Sequence, residues 1–305
     1  MSEPSTAPAA PARTPKLGLP EIRGRKAGPK LTMITAYDYH TARLAEAAGI
    51  DLLLVGDSLG MVVLGYSSTV PVTMEEMLHH TRAVVRGAPH THVVADLPFM
   101  TYQISDAQAM ESAGRLLKEG GADAVKLEGG QAMAGRVRAL VAAGIPVMGH
   151  VGLTPQSAGS LGGFRVQGRG LDAAMGILAD AAAIVAAGAY AVVVEAVPTE
   201  LAALMTERLA APTIGIGAGP ACDGQILVLH DLLGLEDRIA PRFAKRYADL
   251  GTVTRDAFAT FAAEVRDGAF PDAEHSYAMK PDIARALREE IEQKSPSEPD
   301  LLAGE

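Results

Sequence analysis

From about residue 30 to residue 240, uninterrupted apolar runs of strand length alternate with amphipathic runs of helix length. A strand with one wet face alternates polar and apolar residues; a strand apolar throughout is buried on both faces, as in a parallel sheet covered by helices. Eight such runs are present: LTMITA (31–36), DLLLVGD (51–57), HVVADLPF (92–99), DAVKLEG (123–129), IPVMGHVG (145–152), YAVVVEAV (190–197), PTIGIGAG (212–219) and the weaker QILVLHD (225–231). Eight parallel strands, each followed by a helix, close into a barrel. The expected fold class is therefore α/β, a (β/α)8 barrel.

The intervening segments support helices. TARLAEAAG (41–49), RLLKEGGA (115–122), VRALVAAG (137–144) and AAIVAAGA (182–189) each place a glycine just before the next strand, where a helix C-terminus is expected. TMEEMLHHTRAVVRG (73–87) opens on Thr73 with Glu76 three positions on, the pattern of a capping box. TRDAFATFAAEVRDG (254–268) reads as a closing helix packed on the outside. Residues 1–25, rich in Ala and Pro, read as a disordered arm, residues 26–280 as one catalytic barrel, and residues 281–305 as a charged tail.

Composition narrows the partners. Of the 305 residues 48% are hydrophobic and 21% charged, a globular balance, and the formal net charge is −9. With no basic run, no Trp and 4% aromatics, neither a phosphate-tracking groove nor a base-stacking surface is expected, so nucleic acid is excluded as a partner. No apolar stretch reaches the roughly 20 residues that span a bilayer, and residues 1–16 lack the apolar core of a secretory signal. Cys222 is the single cysteine, so no internal disulfide forms and a reducing, cytoplasmic setting is expected.

Ionisable residues stand at the C-terminal ends of five of the strands: Asp57, Asp96, Lys126 with Glu128, His150 and Glu195. In a parallel barrel these ends converge on one face, where active sites are built. Asp57, Asp96 and Glu128 are hard oxygen donors on neighbouring strands without Cys or paired His, which suits Mg²⁺ better than zinc. Each carboxylate taken alone would also serve as a helix cap in a βα loop. Lys126 and Glu128 share a strand face; they read either as an internal ion pair or as a substrate-binding cation beside a carboxylate that serves the metal directly or through water. Glu195, set among Val and Ala, should have its ionised form disfavoured by burial, which fits a proton-transfer group or a carboxylate held by backbone N–H groups. His150 stays open between a core histidine and a binding or relay role. The glycines of GIGAGP (215–220) allow a tight turn or a close approach to a ligand; this is not a dinucleotide fingerprint. His79, His80, His90, His92 and Cys222 are assigned to surface or packing.

TAYDY (35–39), LVGDSLGM (54–61), ADLPFM (95–100), VKLEGG (125–130), GHVGLTPQS (149–157), GGFRVQGR (162–169), GIGAG (215–219) and DGQILVLHD (223–231), in that order, resemble the ketopantoate hydroxymethyltransferase family over roughly residues 25–277. GYSST (65–69) departs slightly from the family's usual loop. The resemblance implies a barrel of the phosphoenolpyruvate/pyruvate type, a homodecamer of five dimers, and transfer of a hydroxymethyl group from 5,10-methylenetetrahydrofolate to 3-methyl-2-oxobutanoate through a Mg²⁺-stabilised enolate. The product would be 2-dehydropantoate, on the route to pantothenate and coenzyme A. It further implies that Asp57 and Asp96 bind Mg²⁺, that Glu128 completes the metal site, that Ser58 and Lys126 hold the oxo acid and that Glu195 accepts the proton. Two alternatives are a Mg²⁺-dependent lyase of the isocitrate lyase and phosphoenolpyruvate mutase group, whose members generally use a loop cysteine, and a metabolite-binding regulator with idle carboxylates.

Overall fold

The computed structural model describes residues 15–160, 162–235 and 241–294. The first fourteen residues of the expected arm and the tail from residue 295 lie outside the described residues.

Eight strands form a closed parallel barrel in sequence order. They are β1 (Leu31–Thr35), β2 (Leu52–Val55), β3 (His92–Asp96), β4 (Ala124–Glu128), β5 (Val147–Gly152), β6 (Ala191–Glu195), β7 (Thr213–Ile216) and β8 (Gly224–Leu227). Closure is made by β1 against β8, with Leu31 opposite Gly224. All eight expected strands are present. The eighth stops at Leu227, short of the expected residue 231, because Leu229 already begins a helix.

Side chains on these strands divide by parity, as a pleat requires. One set, including Leu53, Val93, Val125, Val151 and Val192, packs outward against the helices. The other, including Leu31, Leu52, Leu54, Val94, Met148 and Val193, fills the lumen. Asp96, Lys126, Glu128, His150 and Glu195 continue that inward parity from Val94, Ala124, Met148 and Val193. The apolar lumen therefore gives way to an ionisable layer simply by following the strands to their C-terminal ends. The capping box is present as expected, with Thr73 Oγ1 accepting from Glu76 N and Glu76 reaching back to Thr73 N. Gly188 shows why the helix-ending glycines recur: its φ is 113°, and a Cβ there would stand 2.9 Å from Val141 Cγ1.

Both expected barrel boundaries shift. Residues 15–25 are not a free arm: Leu19–Arg23 is a helix whose Ile22 is wholly buried in the lumen cluster, with Leu17 and Leu19 packed beside it. Five residues are too few to show a helical period, which leaves this helix indistinguishable from the Ala- and Pro-rich arm in sequence. At the other end the chain divides into two compact units between Asp249 and Leu250, not near residue 280. The expected helix is present as Leu250–Arg266 and opens the second unit. Pro281–Lys294, expected as tail, is helical through its described length.

Candidate active site

A cavity of about 520 Å³ opens at the C-terminal ends of the strands, and Asp57, Ser58, Asp96, Lys126, Glu128, His150 and Glu195 all line it. The structure thus brings every sequence-selected site residue to one place. Strand register sets their neighbours: Asp96 pairs with Lys126, Glu128 with His150 and Gly152 with Glu195.

The floor holds four carboxyl groups around one ammonium. Lys126 Nζ lies 3.0 Å from Asp96 Oδ1 and 3.2 Å from His150 Nδ1. Burial works against the Lys126 cation, but the charges of Asp96, Glu128 and Asp57 outweigh it and hold the pKa up. His150 is the reverse case: burial and then the Lys126 charge keep it well below its usual value, hence neutral. With Nδ1 accepting from Lys126, the ring proton sits on Nε2. That Nε2 is 3.1 Å from Glu195 Oε2 but off the line of a hydrogen bond, leaving a buried donor beside the carboxylate.

The carboxyls share too little compensation. Burial, followed by the charge of Asp96, pushes Asp57 up to about 7. Burial and then Asp57 push Glu128 well above the usual range. Glu195 is raised by burial to about 7, moderated by Lys126. Asp57 N donates to Asp96 Oδ2 at 3.1 Å, which sets the two aspartates side by side, while Asp96 Oδ1 faces the Lys126 ammonium. Among the described residues no three His, Cys, Asp or Glu side chains form a ready metal cage. Even so, two adjoining hard-oxygen donors in a floor with four carboxyls and one ammonium fit a divalent ion that keeps water or substrate in its other positions.

One residue that carries almost no signal of its role in the sequence organises this floor. Gln156, buried in the short 3-10 turn Pro155–Ser157, donates from Nε2 to Asp57 Oδ2 (2.8 Å) and Leu97 O (2.9 Å) and from its backbone N to Glu128 Oε2 (3.0 Å). Its Oε1 accepts from Tyr102 OH at 2.8 Å, and the same hydroxyl contacts the Glu128 backbone. Gln156 is thus a strut between two carboxylates at the C-terminal ends of separate strands. The only hint in the sequence is its place in GLTPQS. Ser58 Oγ is hydrogen-bonded to Tyr37 OH at 2.9 Å. Ala196, directly after Glu195, adopts φ 47°, a left-handed conformation costly for a residue with a Cβ, and so turns the chain sharply beside that carboxylate. His92 is a packing histidine as expected, between Leu17 O and Tyr190 OH, and Cys222 is buried.

The family model for ketopantoate hydroxymethyltransferase matches residues 16–273. A 3-methyl-2-oxobutanoate hydroxymethyltransferase of Moorella thermoacetica is 62% identical over 267 residues, covering 87% of this chain and 99% of its own. One of Thermus thermophilus is 60% identical over 250 residues, covering 82% and 95%. Among solved structures, a phosphonopyruvate hydrolase in complex with oxalate and Mg²⁺ aligns with TM-score 0.57 at 14% identity, over 92% of this chain and 97% of its own. A 2,3-dimethylmalate lyase of the phosphoenolpyruvate mutase/isocitrate lyase superfamily aligns with TM-score 0.55 at 18% identity, over 90% and 93%. At such identities these two structures speak for a shared barrel fold.

Proposed function

Because the chain belongs to the ketopantoate hydroxymethyltransferase family, we propose that it transfers a hydroxymethyl group from 5,10-methylenetetrahydrofolate to 3-methyl-2-oxobutanoate, with water, giving 2-dehydropantoate and tetrahydrofolate. The observation that carries the reading is the cavity floor: an aspartate pair, a buried ammonium and a carboxylate whose pKa of about 7 suits proton transfer at neutral pH.

In this reading Asp57 and Asp96 hold Mg²⁺, with Glu128 completing the site directly or through water. Bound there, the ion supplies Lewis acidity toward the carboxylate and keto oxygens of a 2-oxo acid. Ser58 and Lys126 hold the acid, and the Lys126 ammonium faces the negative charge that develops on the keto oxygen. Glu195 takes the C3 proton. His150, neutral and protonated on Nε2, stands beside Glu195 to orient it and the bound acid. The Val193 and Ile216 side chains lining the cavity restrict water at the nucleophilic carbon. The family likeness also supports a cytoplasmic homodecamer acting in pantothenate and coenzyme A synthesis. No described helix is long and apolar enough to cross a membrane. The lyase alternative gains no support, since Cys222 is buried and does not line the cavity.

The test is an assay of purified protein with 3-methyl-2-oxobutanoate, methylenetetrahydrofolate and Mg²⁺, alongside exchange of the C3 proton in D₂O. Formation of 2-dehydropantoate, lost in Asp57→Ala and Asp96→Ala, supports the reading. Exchange that persists in Glu195→Gln would move the base elsewhere, and absence of both product and exchange would reject the reaction.

A further inference from the structure

The cavity is far larger than a five-carbon oxo acid requires and falls in the size range of sites for drug-sized ligands. Its two halves differ in kind. The floor residues Asp57, Asp96, Lys126, Glu128 and His150 are each at most 5% exposed, whereas Phe164, Arg165, Arg242 and Phe243, which line the same cavity, are exposed and mark the mouth.

These mouth residues come as two aromatic and cationic pairs, each anchored to the barrel. The loop carrying Phe164 and Arg165 is tied by Gln167 N to Ala196 O at 2.9 Å, next to Glu195. Phe243, beside Arg242, lies against Gly217 of the GIGAG turn, where a Cβ would stand 2.6 Å from the ring. Only a glycine allows that approach. Among the described residues neither Arg165 nor Arg242 makes a side-chain hydrogen bond or ion pair, although the protein carries a net charge of −9. Lys126, by contrast, is already paired on the floor.

We propose that the outer half of the cavity is the subsite for the aminobenzoyl-glutamate end of the one-carbon donor. Arg165 and Arg242 take its carboxylates, and Phe164 and Phe243 flank its benzoyl ring. The assignment rests on the reaction proposed above. Transfer requires the donor's reactive carbon to reach C3 of the oxo acid near Glu195, so the pterin enters first and the glutamate trails outward. Charge reinforces that direction, because the carboxylate-rich floor repels a dicarboxylate while two unpaired guanidinium groups at the mouth attract it. Phenylalanine faces suit a flat benzoyl ring.

The decisive experiment is a binding measurement that needs no turnover: calorimetric titration of the full chain with tetrahydrofolate and with tetrahydropteroate, which lacks the glutamate. Wild type, Arg165→Ala, Arg242→Ala, the double variant and the charge-keeping Arg165→Lys are compared. The double variant is expected to bind tetrahydrofolate roughly ten- to a hundredfold more weakly and Arg165→Lys to recover part of that loss. Tetrahydropteroate is expected to bind wild type weakly and to lose nothing further in the double variant. Equal tetrahydrofolate affinity in all five proteins, or an equal penalty on tetrahydropteroate, would overturn the subsite whether or not 2-dehydropantoate is formed. Failure of the product assay with the affinity pattern intact would instead count against the reaction alone.

Discussion

Two aspartates of nearly equal burial sit at opposite ends of this barrel. Asp223 is 3% exposed just before β8 begins, and Asp57 is 4% exposed just after β2 ends. Asp223 accepts from Lys26 Nζ, Ala27 N, Thr213 N and Thr213 Oγ1 at 2.9 to 3.3 Å. Burial pushes its pKa upward, but the bonds from Thr213, Lys26 and Ala27 outweigh that and leave it below its ordinary value. Asp57 has one side-chain donor, Gln156 Nε2, against a neighbouring carboxylate, and rises to about 7. Burial is common to both; the supply of donors decides the outcome. The N-terminal end is satisfied and stabilises the fold, whereas the C-terminal end keeps ionisable capacity in reserve for a ligand.

The largest expected effect separates the two ends by activity. Asp57→Asn removes a charge that the resting floor compensates poorly, so turnover falls by about a thousandfold while the thermal midpoint holds or rises; a clear fall in the midpoint would erase the contrast. Asp223→Ala should do the opposite, costing about 3 kcal/mol because the Lys26 ammonium loses its buried partner. Urea unfolding reads that loss, and C3 exchange per folded molecule should stay unchanged.

Acidity sharpens the comparison. Glu195 has a folded-state pKa of about 7 against an ordinary 4.5, so between those values the folded chain keeps a proton that the unfolded chain has released. Stability contributed in this way is present below about 4.5 and is lost as pH rises through about 7. Glu195→Gln should flatten that part of the stability curve by up to roughly 3 kcal/mol. In the same range wild-type C3 exchange should rise with pH as the carboxylate forms. A stability curve of identical slope in the variant would show that Glu195 is not the group titrating.

The smallest effect concerns the strut. Gln156→Ala should weaken Mg²⁺ binding by about ten- to a hundredfold, the usual cost of losing a group that orients metal ligands. Calorimetric Mg²⁺ titration measures this directly, and a thermal midpoint close to wild type would separate orientation from unfolding. An unchanged Mg²⁺ affinity would mean that the carboxylates hold their positions without it.

Much of this contrast was legible in the sequence, for identifiable reasons. A doubly buried strand is an unbroken apolar run, so a carboxylate or lysine ending one stands out, and Asp57, Asp96, Lys126, Glu128, His150 and Glu195 all did. Gln156 did not, because a neutral amide in a loop looks like solvent-exposed polarity until its partners are placed around it. Arg165 and Arg242 lie on exposed connections, where an arginine is unremarked. The Leu19–Arg23 plug was hidden by its brevity.

The tie between Lys26 and Asp223 spans 197 positions of sequence, and the β1–β8 seam above it is comparably long-range. During synthesis at about 5 to 20 residues per second, β1 therefore emerges roughly ten to forty seconds before its final partner exists. Throughout that interval the nascent sheet has an open strand edge, the kind of surface through which chains pair wrongly with one another. Closure of the last seam is consequently the step at which this protein, as it is made, depends most on being kept apart from its neighbours.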